Sequence, residues 1–360
     1  MLTFYNEHHS QHRPRSVRSL ASFDKPEQID LVLTELQRRG LGEIVTPHRA
    51  PLVSLERIHT PRYLHFLRSA WSEWSALDPA HAEQDAQASH WPVRGMRADI
   101  EPDSFIGRLG LYAMDATPLT AGTWNACKTG ADCAINAAHA LRLGRGSSFA
   151  LTRPPGQHAG ADYFGGGCFL NNAALAAQHL LDDGLARVAI LDLGYHHGSG
   201  TQSIFYARND VLTVSIHADP RLDFPYYLGH ADETGSGDGS GYNMNLALAR
   251  GSGAAQWLAA LETACIKLGM FAPEALVVSL GIGAREGAPE GVPEGTRERA
   301  REGDPRAAFG LQGADWLRIG ERIAWLGLPT AFVFEGGSAQ ADIGIHTVNV
   351  LEGFETAAPT

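Results

Sequence analysis

The chain has 360 residues, 44% of them hydrophobic, with 40 glycines and 19 prolines, which suits one large α/β domain with many tight turns. Its formal net charge of −11 argues against nucleic acid as a partner and is compatible with a cationic ligand. Cys127, Cys133, Cys168 and Cys265 form no CxxC or disulfide-rich spacing, no run reaches transmembrane length and the first ten residues lack a signal-peptide pattern. The expectation is a soluble cytoplasmic protein with no membrane partner.

Residues 2–6 suit a first strand. Asp24 and Glu27 form a capping box for a helix with Pro26 in its first turn and Gly40 at its end, and Ile29, Val32, Leu33 and Leu36 give it one apolar face. The EHHSQH run from Glu7 to His12 invites a metal reading, but adjacent His8 and His9 point apart on an extended chain. A helix begins at His59–Leu67. Ser75 to Ser104 is polar and broken by three prolines, a long loop suited to an interface. Gly122 to Leu143 is an Ala-rich helix with Cys127 and Cys133 as packing groups.

Five apolar runs follow, each leading into a loop rich in polar residues or glycine: Ser148–Leu151, Val188–Leu191, Val211–Val214, Ala275–Leu280 and Thr330–Phe334. Short continuous apolar runs read as strands buried on both faces. With helices between them, such as Ala173–Leu181 and Ala254–Leu268, they predict a parallel sheet covered on both sides, with all five loops at one edge. Chemistry in such folds lies at the carboxyl edge. The organising stretch is Arg187 to Gln202, where a strand ends at Asp192 and Gly194, Tyr195, His196, His197 and a Gly-Ser-Gly turn follow. Residues 284–303 are almost wholly Glu, Arg, Gly, Pro and Ala without apolar periodicity, a solvated excursion at the same edge. No repeat or interdomain linker is apparent, so residues 1–360 are read as a single domain.

Together the segments LTFYNEHH, HTPRYLHFL, EPDSFIGRLG, RPPGQHAGADYFGGGCFLNNAA, DLGYHHGSGTQ, LTVSIHADPR, YYLGHADETG, EGGSAQADIG and TVNVLEGFE resemble the histone deacetylase and acetylpolyamine amidohydrolase superfamily, most closely its bacterial acetylpolyamine-type branch. The resemblance implies an arginase/deacetylase fold around a single eight-stranded parallel sheet. It also implies a zinc held by an Asp and a His of a DxDxHHG loop and an Asp of a later LGxD loop. At the corresponding positions this chain has Gly194, His196 and Gly283. The tandem histidines that serve the zinc-bound water correspond to Gln157 and His158, the carbonyl-polarising tyrosine to Ser338, and a tunnel aromatic to Gly167. Catalytic zinc needs three protein ligands, so zinc and zinc-dependent deacetylation are expected to be absent, and no cofactor is expected. Glu286, Asp304 and Glu335 are the carboxylates that could rebuild a ligand set.

Because Gly194, Gly283, Ser338 and Gly167 are smaller than the family's residues, the expectation is an enlarged pocket that binds a small acylated or cationic ligand. Its contacts would be Gln157, Gly167, Gly194, Tyr195, His196, Tyr227, Gly283, Ser338 and Glu101. The alternative is a metal-independent enzyme with His158 and His197 as acid/base or ligand-contact groups; a nucleophilic Cys168 is weighed against a buried thiol. The family's structural monovalent cation maps onto Asp192, the His196 carbonyl, Ser215 and Ile216, so potassium remains open, with Gln157 as a hydrogen-bond partner for Asp192. The 75–104 loop corresponds to the dimer-forming region of the acetylpolyamine branch, implying a homodimer.

Overall fold

The computed structural model describes residues 1–15, 25–283, 309–337 and 342–358. Eight strands form one sheet: β1 (Leu2–Tyr5), β2 (Glu43–Val45), β3 (Ser147–Leu151), β4 (Val188–Asp192), β5 (Val211–Ala218), β6 (Asn243–Leu248), β7 (Ala275–Ile282) and β8 (Thr330–Gly337). Their order is β2-β1-β3-β8-β7-β4-β5-β6, and every pairing is parallel. All carboxyl ends therefore lie along one edge, and the loops after β3, β8, β7 and β4 leave it side by side.

Alternation along each strand divides the apolar residues between two cores. Ala150, Val188, Ile190, Val277 and Val333 pack with α3 (Pro61–Leu77), α5 (Thr123–Arg142) and α6 (Asn172–Asp182). Leu151, Ala189, Leu191, Val278 and Phe334 pack with α1 (Glu27–Arg39), α8 (Ala254–Phe271), α9 (Gly313–Ala324) and α10 (Ile343–Ala357) on the other face. The remaining helices are α2 (Leu52–Leu55), α4 (Phe105–Tyr112) and α7 (Ser199–Phe205). No helix among the described residues is long and apolar enough to cross a membrane.

Most differences from the sequence reading are at element ends. α1 ends at Gly40 in the left-handed conformation, φ 63°, where a side chain would be strained; the Asp24 half of the expected capping box lies outside the described residues. α3 starts after Thr60, whose side chain accepts from the Tyr63 amide at 3.4 Å, and it continues to Leu77, inside the expected loop. β5, β7 and β8 run two to four residues beyond their apolar cores. The expected Gly198–Gly200 turn instead opens α7. Gly200 sits where a Cβ would lie 2.2 Å from the Ala159 carbonyl, so glycine lets the helix touch the loop after β3. The charged segment 284–303 lies outside the described residues. Its flanks are tied together, since the Phe309 amide donates to the Gly283 carbonyl at 3.2 Å.

The N-terminal histidines do not form a metal cluster among the described residues. His8 and His12 instead bond Thr129 and Thr123 at 3.1 and 2.9 Å. All four cysteines are buried. Burial pushes the Cys127 thiol up to about 12 and that of Cys265 to about 11, which suits packing rather than reactivity.

Candidate functional site

The edge site is assembled from loops that brace each other. After β3, Arg153 reaches back to the carbonyls of His9 and His12, the latter at 2.8 Å. Glu335, on β8, accepts from the Gly156 amide at 2.5 Å and the Gln157 amide at 3.2 Å. The Gln157 carbonyl in turn accepts from Gly200 and Thr201 at 3.0 and 3.2 Å. These bonds hold the β3 loop against β8 and α7. Both bonds end on Glu335 Oε2, and among the described residues Glu335 gathers with no two further His, Cys, Asp or Glu ligand atoms. Glu286, Asp304 and Ser338 lie outside the described residues.

At the end of β4, Asp192 is buried and accepts from the Gly194 amide at 2.8 Å. The Gln157 amide nitrogen faces it at 3.2 Å from both carboxylate oxygens, the hydrogen bond expected from the sequence. With that orientation the amide oxygen faces His158 Nε2 at 3.4 Å, while His158 Nδ1 meets Ser199 Oγ at 3.3 Å. Burial pulls the His158 imidazole down to about 3, with His196 adding to the shift. A base that weak, with both nitrogens engaged, is far from the value that general-base catalysis at neutral pH requires.

His197 is not brought together with His158 and His196. It is 1% exposed, its Nδ1 meets Ser215 Oγ at 3.2 Å, and its ring lies 4.5 Å from that of His217. It borders a cavity of about 10 Å³ that Asp192, Gln202, Thr213, Ser215 and Asn243 also line, space for about one water. His197 is thus a buried side chain that lines this cavity.

The glycines at the replaced positions lie close to their neighbours. A Cβ on Gly283 would lie 2.4 Å from Tyr195 Cβ, and one on Gly281 would lie 2.7 Å from the Gly194 Cα. At Gly194 itself a Cβ would meet the Gln157 amide at 2.7 Å and Asp192 Oδ1 at 3.0 Å. Tyr195 is buried, 3.4 Å from Asp223 through its hydroxyl, and Arg250 grips Asp223 with bonds of 2.7 and 2.8 Å. Near Gly167, whose amide donates to Thr117 Oγ1 at 3.0 Å, the neighbouring Gly166 backbone covers His158, leaving 2.6 Å between a built Cβ and His158 Cδ2.

The half-buried His196 ring stands edge-on to Phe224 at 5.7 Å, and His158 does so at 4.9 Å. Phe224 thus joins the two imidazoles, although sequence reasoning passed over it. The signal was the aromatic cluster FPYY from Phe224 to Tyr227. Tyr227 is 87% exposed, placing it at the outer rim rather than in the wall. Glu101 accepts from the Tyr112 hydroxyl at 2.7 Å and has no described contact with His158 or His196.

Of the three zinc-ligand positions implied by the resemblance, only His196 carries a donor side chain. Among the described residues, no three His, Cys, Asp or Glu side chains gather their donor atoms at this edge. These residues do not fit a catalytic zinc, which needs three protein ligands and an open position. The monovalent-cation residues are better placed, since Asp192 and Ser215 are register partners on β4 and β5. Ser215 Oγ, however, also meets His217 Nδ1 at 2.8 Å.

Fold and site together define an arginase/deacetylase-type α/β protein. The histone deacetylase domain model matches residues 22–340. Acetylpolyamine amidohydrolases 2 and 1 of Pseudomonas aeruginosa are each 46% identical over 99% of this chain and cover 99% and 100% of their own lengths. Acetylpolyamine amidohydrolase of Mycoplana ramosa is 39% identical over 92% of each chain. The crystal structure of acetylpolyamine aminohydrolase from Burkholderia pseudomallei superposes over 100% of both chains with a TM-score of 0.87 at 34% identity. The chain belongs to the histone deacetylase and acetylpolyamine amidohydrolase superfamily.

Proposed function

We propose that this chain is an amidohydrolase-family protein that has lost zinc-dependent deacetylation and binds a small acylated or cationic ligand at the β-sheet edge. The observation that carries the reading is the close approach of Gly283 to Tyr195, where a Cβ at position 283 would lie 2.4 Å from Tyr195 Cβ. Two further features support it. His196 has no carboxylate partner at positions 194 and 283, and the Phe224 ring with the net charge of −11 suits a cationic guest. The names of the 46% identical relatives point to acetylated polyamines as the ligand class to try first.

Metal-stripped protein reloaded with zinc and mixed with N-acetylputrescine is expected to release no acetate above a protein-free control, while calorimetry detects binding of the acetylated amine. Zinc-dependent acetate release that a chelator abolishes would overturn the reading, and absence of binding would remove the ligand class.

The remaining assignments are proposals of the same kind. Potassium at Asp192 and Ser215 is expected to raise the melting temperature more than choline at equal chloride. Trp91, Val93, Met96 and Ile100 are exposed apolar side chains on the 75–104 segment, and they support a homodimer through that loop. Light scattering is expected to give twice the 38.7 kDa chain mass, falling to one chain in the Val93→Glu, Met96→Glu double variant. The four buried cysteines, without CxxC or disulfide-rich spacing, support a reducing cytoplasmic location.

A further inference from the structure

At the opposite edge of the sheet, the last turns of α5 and α6 bring His139, His179 and Asp183 together. α5 leads into β3 and α6 into β4, so these turns lie at the amino ends of the strands. They are about 16 Å, the span of a five-residue strand, from the edge that carries His196. His179 and Asp183 are one helical turn apart and share a face, and the His139 and His179 rings are 5.6 Å apart.

Three atoms converge here. Asp183 Oδ2 is 3.4 Å from His139 Nδ1 and 3.5 Å from His179 Nε2, and all three ligand atoms lie within 4.8 Å of one another. Bonds of about 2.0–2.1 Å at tetrahedral angles put neighbouring ligand atoms about 3.3–3.4 Å apart, so the two measured edges already fit a bound ion. An independent feature points the same way. His179 Nε2 is sequestered and has no hydrogen-bond partner, although it faces a carboxylate oxygen. A buried imidazole nitrogen left unpaired costs free energy that a coordinated metal would recover.

The surroundings leave the carboxylate available. Arg142 donates to the Asp183 backbone carbonyl at 3.0 Å, not to its side chain. The adjacent Asp182 is taken up by Arg57 and Gln178. The side chains of His139, His179 and Asp183 are 52%, 23% and 31% exposed, leaving a fourth coordination position open to solvent.

We propose that His139, His179 and Asp183 form a divalent transition-metal site of the zinc or cobalt class, clamping α5 to α6. Two imidazoles and one carboxylate are a donor set that suits these ions. The site is independent of the reading of the β-sheet edge.

Cobalt(II) chloride titrated into the metal-stripped full chain is expected to give one tetrahedral cobalt per chain by its visible absorption, with zinc displacing it. Binding is expected to weaken at least a hundredfold in His139→Ala and His179→Ala and to remain unchanged in His196→Ala. Zinc is expected to raise the melting temperature of the wild type but not of His179→Ala. Asp183→Asn changes volume little and keeps the test valid if His179→Ala fails to fold. No stoichiometric cobalt in the wild type, or equal cobalt binding in these variants, would overturn the proposal. So would loss of cobalt in His196→Ala with His139→Ala unaffected, an outcome that would separately contradict the proposed loss of the edge metal.

Discussion

Gly283→Asp, which restores a carboxylate at a position the superfamily uses for zinc, is expected to destabilise the protein by about 3 kcal/mol. The first atom of the new side chain would lie 2.4 Å from Tyr195 Cβ and 3.2 Å from its Cα. Neither can yield without moving the backbone between Gly194 and His196. Tyr195 is anchored at its far end near Asp223, which Arg250 holds, and its carbonyl accepts from Ala218 at 2.8 Å. Gly194→Ala is the contrast. Its nearest obstacle is the end of the Gln157 side chain at 2.7 Å, which can rotate away, so a loss of about 1 kcal/mol is expected. Urea denaturation midpoints of both variants measure the difference. If Gly283→Asp proves neutral, Tyr195 is free to move and the closed edge is adaptable, which would weaken the argument against catalysis.

Glu335→Gln is expected to make the protein more stable at pH 8, by roughly 2 kcal/mol. Burial pushes the Glu335 carboxyl from its ordinary 4.5 up to about 8 against the pull of the Gly156 amide, and Asp192 raises it further. For an acid whose folded value is raised, stability is fully present below the unfolded value. It is lost as pH climbs from about 4.5 through about 8, because the unfolded chain ionises there and the folded one resists. Glutamine keeps an oxygen to accept from Gly156 and Gln157 and has no proton to lose. Denaturation at pH 5, 6.5 and 8 should therefore show a flatter profile in the variant. Some slope should remain from Asp192, whose buried carboxyl is pushed up to about 7. An identical slope in both proteins would mean that Glu335 is ionised in the folded state.

The sheet was legible because its central strands are buried on both faces and contain continuous apolar runs. Their ends were not, because Ser215, His217 and Glu335 are polar residues that extend the ladder and hydrogen-bond at the working edge. The outer strand β6 reads Asn-Met-Asn-Leu-Ala-Leu and alternates in burial, so it offered no such run. The Gln157–Asp192 bond was foreseeable from one amide replacing one imidazole. Pocket size was not, since side-chain volumes do not reveal whether backbone will fall into the space they vacate. Gly283 lies against Tyr195, and Gly194 against the Gln157 and Asp192 side chains. His139 and His179 are 40 positions apart, on helices whose pairing only the folded chain establishes.

The hydrogen bond between Phe309 and Gly283 makes the junction of β7 with its following segment a splice point. Whatever the chain carries between those two residues departs from and returns to the same place. The scaffold therefore feels the length of the insert only through closure entropy, and each doubling costs about 0.6 kcal/mol. A foreign peptide grafted there should leave the melting temperature nearly where it was.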